Sequence, residues 1–543
     1  MRTMKFFTLI VLSVIFSTTR LTAQSNSKLS QEAEQTMLRA TQFMVEKVST
    51  NGGYVWYYTP DLSRRWGEME AYKTMIWLQD PGTTLVGHML LDAYRATGNE
   101  YYYLAATKAA NAIIFGQSKE GGWNYLIDFA GDRSLKQWYN TIGKNGWRLE
   151  EFQHYYGNST FDDNITSDAA RFLLRMYLVK MDPAYKPALD KAIDFILKSQ
   201  YPIGAWPQRF PLMYDFNKQG HPDYTSYYTY NDDVIWENIH FLIQCYLTLG
   251  EQRFLDPIQR GMNFYRISQD TSGGWGQQMD MNLETAGART YEPKALLPRN
   301  TVAIVKQLME FYQITGDRKF LTPIPAAIHW LEQTVLPANE TENGRYTHPK
   351  FIEVGTNKAI YPHRKGSNVK YGYYYVDYKD ENLLGHYSGK SFVDIKELKD
   401  EYTRVSTMSV EEATKDSPLK EVAFNGTGLP QSYYDFSHER ITRVPDESFV
   451  KKITQSLDKE GRWLVKHASI SNPYIGDGVK QEPTEAYQKT MVGDETDTSP
   501  YRDPSDKEYI STGDYVRNMR MLINYVEANK NGLTEEKLKE RQR

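Results

Sequence analysis

Three stretches share the pattern Q-x-x-x-G-x-W and decide the fold: QSKEGGW at Gln117–Trp123, QYPIGAW at Gln200–Trp206 and QDTSGGW at Gln269–Trp275. The copies start 83 and 69 residues apart, which is long enough for two helices and their loops. An apolar stripe at helical spacing precedes the pattern, as at Tyr185–Ile196 in the middle copy. Glycine then ends the helix before the tryptophan. The repeat therefore predicts stacked helical hairpins.

Related patterns extend the repeat along the chain. A partial fourth copy runs from Thr315 to Gln333 and ends at GRY (344–346), and weaker echoes are NGGY (51–54) and EGRW (460–463). Hairpins closed into a ring form an (α/α) toroid, and an open solenoid is the alternative. We predict an all-α protein, an (α/α) toroid of repeated helical hairpins with long loops and a few short strands in its C-terminal third.

Shifts in composition suggest how the chain is divided. We assign residues 25–400 to the toroid that carries the catalytic region and 401–445 to an irregular excursion. Residues 446–543 are expected to form C-terminal helices that complete the toroid and end in a polar tail. Residues 345–410 are rich in Tyr, Lys and Gly and predict loops with short strands.

Composition and charge exclude several classes of protein. The 543 residues are 40% hydrophobic and 24% charged, with a mean hydropathy of −0.62, which excludes a polytopic membrane protein. The net charge of −4 gives no general attraction to nucleic acid. The single cysteine, Cys245, excludes disulfides within the chain. The 41 tyrosines suit a sugar-binding surface or helix packing, and composition does not choose between them. We expect a monomer.

The N-terminus resembles a secretory signal peptide over residues 1–24. Arg2 and Lys5 precede an apolar run at 6–16, and small residues end near Ala23. No cysteine lies near that point, so lipid attachment is not expected. The mature protein is expected to be periplasmic or secreted, and a buried N-terminal helix is the alternative.

Two acidic clusters precede amphipathic helices. The first is FDDN at Phe161–Asn164, and the second is YNDD at Tyr230–Asp233. Such residues often cap helices, which is the simplest interpretation. Convergent carboxylates also suit Ca²⁺ or the acid and base of a glycosidase.

Clustered arginines point to an anionic ligand. Arg289 and Arg299 flank Glu292, and Arg364 lies in the basic and aromatic stretch that begins YPHRKG (361–366). Guanidinium groups bind carboxylates or phosphates in a bidentate manner, although such arginines often form solvated ion pairs. Motifs for zinc hydrolysis, serine esterases and nucleotide cofactors are absent from the sequence.

Eight short motifs, taken in order, resemble polysaccharide lyase family 10, the pectate lyases with an (α/α) toroidal fold. They are GGW (121–123), TFDDNIT (160–166), WPQRFP (206–211), TYNDD (229–233), WGQQMD (275–280), ARTYEP (288–293), PHRKG (362–366) and FVDI (392–395). The resemblance implies β-elimination on polygalacturonate, with Ca²⁺ as the cofactor and an acidic polysaccharide as the partner.

The resemblance also implies roles for individual residues. Asp162 and Asp232 carry Ca²⁺ and substrate interactions, and Arg289 is either the base or an electrostatic clamp. We therefore predict catalytic roles for these three residues. The expected metal ligands are Asp162, Asp163, Asp232 and Asp233. The expected substrate contacts are Trp206, Arg209, Gln278, Arg299 and Arg364.

The sequence departs from the family at several positions. KALLPRN (294–300) follows ARTYEP, where the family has a stretch rich in Ser and Gly. Gly276 and Met279 replace a cysteine and a histidine, and Arg209 stands where an aromatic residue is usual. Another uronate-containing glycan therefore stays open as the substrate. So do a glycoside hydrolase that uses Asp162 and Asp232, and a non-catalytic glycan-binding protein. Terpene cyclases also carry Q-x-x-x-G-x-W, but a cyclase cavity is apolar whereas these loops are polar.

Overall fold

The computed structural model describes residues 28–213, 222–420, 443–478 and 484–540. The predicted signal peptide and residues 421–442 of the predicted excursion (401–445) lie outside the described residues. In the part that is described, no helix is long and apolar enough to cross a membrane.

Helices dominate the described chain, and most of them follow one another in pairs. They are α1 (28–43), α2 (Thr83–Thr97), α3 (Glu100–Phe115), α4 (Asp132–Tyr139), α5 (Ile165–Lys180), α6 (Lys186–Ser199), α7 (Val234–Leu249), α8 (Leu255–Ile267), α9 (Pro298–Thr315), α10 (Ile324–Gln333), α11 (Ile395–Thr407), α12 (Val410–Ala413), α13 (Glu447–Ser456), α14 (Thr512–Asn531) and α15 (Glu535–Glu540).

The glutamine of each repeat ties one hairpin to the next. Gln200 Nε2 donates to the carbonyl of Gly204 in its own loop at 2.8 Å and to the carbonyl of Pro257 in α8 at 2.9 Å. Gln117 and Gln269 make the same two kinds of bond in the units before and after. The sequence repeat is therefore confirmed as a repeated contact between neighbouring hairpins.

The glycine of each repeat brings its loop against the backbone of the next hairpin. Gly204 has a φ of +113°, and a Cβ atom there would lie 2.1 Å from the carbonyl oxygen of Arg260 in α8. Gly121 and Gly273 have similar φ values and meet the carbonyls of α6 and α10 in the same way. Only glycine fits such a position, since it combines a left-handed backbone with close approach.

The same contact links the two ends of the chain. A Cβ atom on Gly461, in the EGRW echo after α13, would meet the carbonyl of Arg39 in α1. Gly52, in the NGGY echo after α1, lies against Lys108 in α3. The long helix α14 packs on α2, α2 packs on α5, and α5 packs on α7. The C-terminal helices therefore return to the N-terminal ones.

The partial fourth copy does not make the glutamine contact. Gln333 hydrogen-bonds to His329 in its own helix, and a Cβ atom on Gly344 would meet nothing within 4 Å. The prediction that this segment repeats the helix is confirmed by α10, but the loop after it differs. The expected loop region at 345–410 also ends differently, because α11 and α12 occupy its last part and the start of the expected excursion.

Short antiparallel strands occur along most of the chain rather than only in the C-terminal third. They are Tyr57–Tyr58, Arg65–Trp66, Met75–Trp77, Leu126–Asp128, Ser159–Thr160, Arg209–Phe210, Tyr228–Thr229, Gln278–Met279, Thr285–Ala286, Ala295–Leu296, His348–Pro349, Phe351–Glu353, Ala359–Lys365, Tyr373–Asp377, Lys390–Ser391, Leu464–Lys466, Ser469–Ser471, Pro500–Arg502 and Glu508–Ser511. Two pairings bear on the site, because each sets one strand just before an acidic cluster: Ser159–Thr160 with Arg209–Phe210, and Tyr228–Thr229 with Gln278–Met279.

Replacing Gly204 with alanine tests the contact between hairpins. We expect Gly204→Ala to lower the free energy of unfolding by about 3 kcal/mol or more, because the new Cβ atom forces α8 to move. Gly98→Ala is the matched control, since Gly98 has a φ of +71° but open space around it. It should lose only about 1 kcal/mol. Urea midpoints measure both, and equal losses would contradict the close-contact explanation.

Candidate active site

Two acidic turns of the same unusual shape meet at the starts of α5 and α7. Asp163 and Asn164 have φ values of +47° and +61°, and Asp232 and Asp233 have +49° and +57°. Asp and Asn tolerate this left-handed conformation better than most residues, but two in succession store strain. The two turns pack against each other. Neither helix start has a side-chain cap, so the interpretation of these clusters as ordinary helix caps is wrong.

A second glutamine, present in the second and third repeats, holds these turns. Gln208, two residues after Trp206, donates to Asp162 Oδ1 at 2.7 Å. Gln277 takes the same place one unit later and donates to Asn231 Oδ1 at 3.1 Å. Asp162 therefore corresponds to Asn231 within the repeat, and Asp232 corresponds to Asp163.

Arg289 lies at the centre of the acidic residues. Its Nε is 3.1 Å from Glu151 Oε2, its Nη2 is 3.0 Å from Asp162 Oδ2 and 3.6 Å from Asp232 Oδ2, and its Nη1 is 3.5 Å from Glu292 Oε1. Burial opposes its charge, but Glu151 and Glu292 hold its pKa well above the ordinary value. Arg289 is therefore a firmly protonated cation in this arrangement.

Asp162 is fully buried and surrounded by donors. Its carboxylate accepts hydrogen bonds from the Tyr125 hydroxyl, from Gln208 and from Arg289. Burial alone would raise its pKa, but Arg289 and these hydrogen bonds leave the pKa below the ordinary value. Asp162 thus stays ionised and helps to fix the guanidinium.

Asp232 and Asp163 are carboxyl groups whose ionised forms the protein does not fully stabilise. Burial and the nearby charge of Asp162 raise the pKa of both carboxyls well above the ordinary value. Asp232 also shares a hydrogen bond with Asp162 and accepts one from Asn231 Nδ2 at 2.6 Å. Gln79 Nε2 donates to Asp163 Oδ2 at 2.5 Å.

Two glutamates of the cluster escaped the sequence analysis. Glu151 contacts Arg289, and burial raises its pKa to about 7 although Arg289 opposes the rise. Glu68 accepts from the same Gln79 amide at 3.0 Å, and burial raises its pKa as well. Both lie in loops outside the repeated motifs, so no spacing in the sequence points to them.

The predicted metal ligands differ in their surroundings. Asp162 already accepts hydrogen bonds from protein donors, whereas Asp163 and Asp232 are partly exposed. Asp233 is exposed, and its charge adds to the burial that raises the pKa of the Tyr265 phenol. Among the described residues, no three His, Cys, Asp or Glu side chains form a group ready to hold a metal ion. Asp163 and Asp232 nevertheless suit a hard cation, because they offer carboxylate oxygens and because Arg289 does not fully offset the burial and the charge of Asp162 that raise their pKa values.

Three predicted substrate contacts lie inside the protein. Trp206 is fully buried, and its Nε1 donates to the carbonyl of Ile196 at 2.8 Å. Gln278 is also fully buried and donates to Thr229 Oγ1 at 3.0 Å. Buried Arg364 donates to the carbonyls of Tyr487 and Thr490. In this structure all three serve packing or loop attachment, which corrects their assignment to the substrate surface.

The other two predicted contacts are placed differently from each other. Arg209 is buried, with its guanidinium carbon 4.2 Å from the centre of the Tyr156 ring and 5.4 Å from that of Tyr125. It supports the tyrosine that donates to Asp162 and is not itself on the surface. Arg299 is exposed at the start of α9 and stays available to a ligand.

Comparisons with known proteins agree with the motifs. The family model described as pectic acid lyase matches residues 128–407. No curated protein matches the chain.

Among solved structures, the family 10 polysaccharide lyase from Cellvibrio cellulosa shares 15% identity, with a TM-score of 0.38 over 59% of this chain and 98% of that one. A mutant of that lyase in complex with trigalaturonic acid shares 17% identity, with a TM-score of 0.34 over 51% of this chain and 86% of that one. An unsaturated glucuronyl hydrolase specific for heparin shares 10% identity, with a TM-score of 0.36 over 94% of this chain and 99% of that one. Because the family model covers more than half of the 543 residues, the chain belongs to the pectic acid lyase family and is a lyase.

Proposed function

We propose that the protein is a secreted pectate lyase that cleaves a uronate polymer, with polygalacturonate as the first candidate, by Ca²⁺-dependent β-elimination. The placement of Arg289 among Asp162, Glu151 and Glu292, beside Asp232, is the observation that carries this proposal. We also propose that the helical hairpins close into an (α/α) toroid. The contact of Gly461 with α1 supports that closure.

The reaction needs positive charge beside the carboxylate of the substrate. In β-elimination the C5–H bond breaks, a base takes the proton, and a double bond forms between C4 and C5. The electron pair of the C4–O bond leaves with the glycosidic oxygen, which takes a proton. The C5 proton is only weakly acidic while the neighbouring carboxylate keeps its charge, so cationic groups there stabilise the intermediate.

The acidic turns are the proposed metal-binding part of the site. Asp163 and Asp232 would hold Ca²⁺ from the protein side, and the substrate carboxylate would complete its oxygen shell. When bound, Ca²⁺ would neutralise the uronate carboxylate and so make the C5 proton more acidic. The role of Asp162 is then to hold Arg289.

Arg289 acts as an electrostatic clamp in this proposal. The surrounding carboxylates keep it protonated, and a protonated guanidinium cannot accept the C5 proton. Held at 3.0 Å by Asp162, the group is preorganised and does not have to turn when charge develops on the substrate.

The arrangement of the carboxyls argues against the glycoside hydrolase alternative. The two carboxyl groups of a glycosidase lie about 5 to 9.5 Å apart, because sugar or water must fit between them. Asp162 and Asp232 are close enough to share a hydrogen bond. They leave no room for a sugar or a water between them.

Turnover tests the clamp. With polygalacturonate and Ca²⁺, the wild type should release unsaturated product that absorbs ultraviolet light, and a chelator should stop the release. Arg289→Ala should lower turnover by about 10²-fold or more, because it removes a preorganised cation. Arg253→Ala is the control, since Arg253 forms half-exposed ion pairs with Asp194 and Glu251. An active Arg289→Ala variant would remove Arg289 from the chemistry.

Metal dependence tests the acidic turns separately. Asp232→Asn should raise the Ca²⁺ concentration needed for half-maximal activity by about tenfold or more, since it removes a charged ligand. Asp233→Asn alters the neighbouring residue of the same turn and tests the fourth member of the predicted ligand set. We expect it to change the requirement by less than about twofold, as its side chain is exposed. Equal effects of the two variants would refute the distinction.

Proton release tests the raised pKa values. A raised pKa means that Asp163 and Asp232 hold protons at pH values where ordinary aspartates are ionised, and a cation must displace them. Ca²⁺ affinity should therefore increase as pH rises through this range. Calorimetry in two buffers of different ionisation enthalpy measures the protons released. Binding without proton release would contradict the proposed ligands.

A further inference from the structure

A lysine that forms no ion pair with the described residues lies near Arg289. Lys350 stands between the strands His348–Pro349 and Phe351–Glu353, and its Nζ is 3.1 Å from the centre of the Tyr387 ring. Within the described ranges, no carboxylate forms an ion pair with it. Burial lowers its pKa to about 8, and the nearby charge of Arg299 contributes to that fall. The charge of Glu292 opposes that fall, but it does not form an ion pair with Lys350.

A histidine beside it has no hydrogen-bond partner. Both ring nitrogens of His386 are buried, and neither bonds to any group of the described chain. Its ring is 5.4 Å from Tyr291 and 6.1 Å from Tyr387, in edge-on or tilted contacts that leave the nitrogens unused. Burial lowers its pKa well below the ordinary value, so the ring is neutral and carries one N–H donor. A buried donor without a partner is unfavourable and calls for an explanation.

Tyr387 fixes these two side chains relative to Arg289. Its hydroxyl donates to Glu292 Oε1 at 2.6 Å, and the same oxygen lies 3.5 Å from Arg289 Nη1. The aromatic face that supports Lys350 is therefore two contacts away from the guanidinium. Tyr291, against His386, lies two residues beyond Arg289 in the same loop.

The charges around Arg289 are thus unbalanced in opposite directions. The acidic turns have too little positive charge, whereas Lys350 and Arg299 form no ion pair with any carboxylate of the described residues. Packing alone accounts for the lysine on a tyrosine, since cation–π contacts are common. It does not account for an unsatisfied histidine beside it. An anion with more than one oxygen would satisfy both side chains at once.

We propose that Lys350 and His386 form a subsite that binds the carboxylate of a uronate unit next to the bond that is cleaved. The inference rests on the proposed function, because a uronate polymer carries one carboxylate on every sugar. Lys350 forms the ion pair, and the His386 N–H donates the second hydrogen bond. Both residues lie outside the eight short motifs that carry the family resemblance, although inside the matched range 128–407.

Binding of trigalacturonate in the presence of Ca²⁺ tests the subsite. Lys350→Met should weaken binding by about tenfold or more, because one charged hydrogen bond is lost. Lys350→Arg keeps the charge and should restore binding to within about threefold of the wild type. Lys358→Met is the control, since Lys358 also lies over a tyrosine ring, 5.6 Å from the centre of that of Tyr378, but is exposed. Isothermal titration calorimetry measures all four proteins.

Two further measurements identify the ligand group as a carboxylate. His386→Phe should weaken binding of trigalacturonate by about fivefold or more, whereas His386→Gln keeps a donor and should lose less. The methyl ester of trigalacturonate has no charged carboxylate, so wild type and Lys350→Met should bind it equally well. Circular dichroism confirms that each variant is folded.

The outcome separates the subsite from the lyase activity. Unchanged binding by Lys350→Met, or an equal loss with Lys358→Met, overturns the subsite even where unsaturated product is released. Binding that depends on Lys350 but gives no unsaturated product supports the subsite and overturns the lyase proposal. A wild type that neither binds nor cleaves overturns both.

Discussion

The double hydrogen bond of the repeat glutamine is the interaction on which the rest of the structure depends. One amide group satisfies a carbonyl in its own loop and another in the next hairpin, so it sets the distance and the rotation between units. Buried carbonyls need such partners, and a glutamine in a fixed place supplies them in each of the three full copies. The glycine that follows permits the close approach. Regular stacking then brings the loops of successive hairpins together.

That regularity explains why the acidic turns meet. Each turn follows a two-residue strand and is held by a glutamine from the next unit, namely Gln208 or Gln277. The two turns have the same strained backbone, but different residues stand at equivalent places, with Asp162 in one and Asn231 in the other. The repeat thus supplies the geometry, while the substitution within it gives the buried, donor-bound position to a single aspartate.

The repeat could be predicted from the sequence, because each full copy of Q-x-x-x-G-x-W makes the same contact with the next hairpin. Sequence reasoning also found Arg289 and the acidic turns, whose residue types are unusual for helix starts. It misplaced Trp206 and Arg364, since a residue inside a matched motif can serve packing as easily as binding. Glu151, Lys350 and His386 gave no signal, because folding alone brings their separate loops to Arg289. Contacts of that kind are set by tertiary packing and leave no local pattern.

Near Arg289, the acidic turns lack positive charge and Lys350 lacks an ion pair, and both conditions are unfavourable for the isolated protein. Carboxyls with raised pKa values, a partly desolvated lysine without an ion pair and a histidine without a hydrogen-bond partner among the described residues all weaken the folded state. Strain and unsatisfied groups of this sort concentrate where a ligand binds. A uronate polymer with its cation carries the two missing charges, the cation for the acidic turns and the carboxylate for Lys350. The charges missing at this site therefore match those of the proposed ligand, and Arg289 lies near both groups of residues.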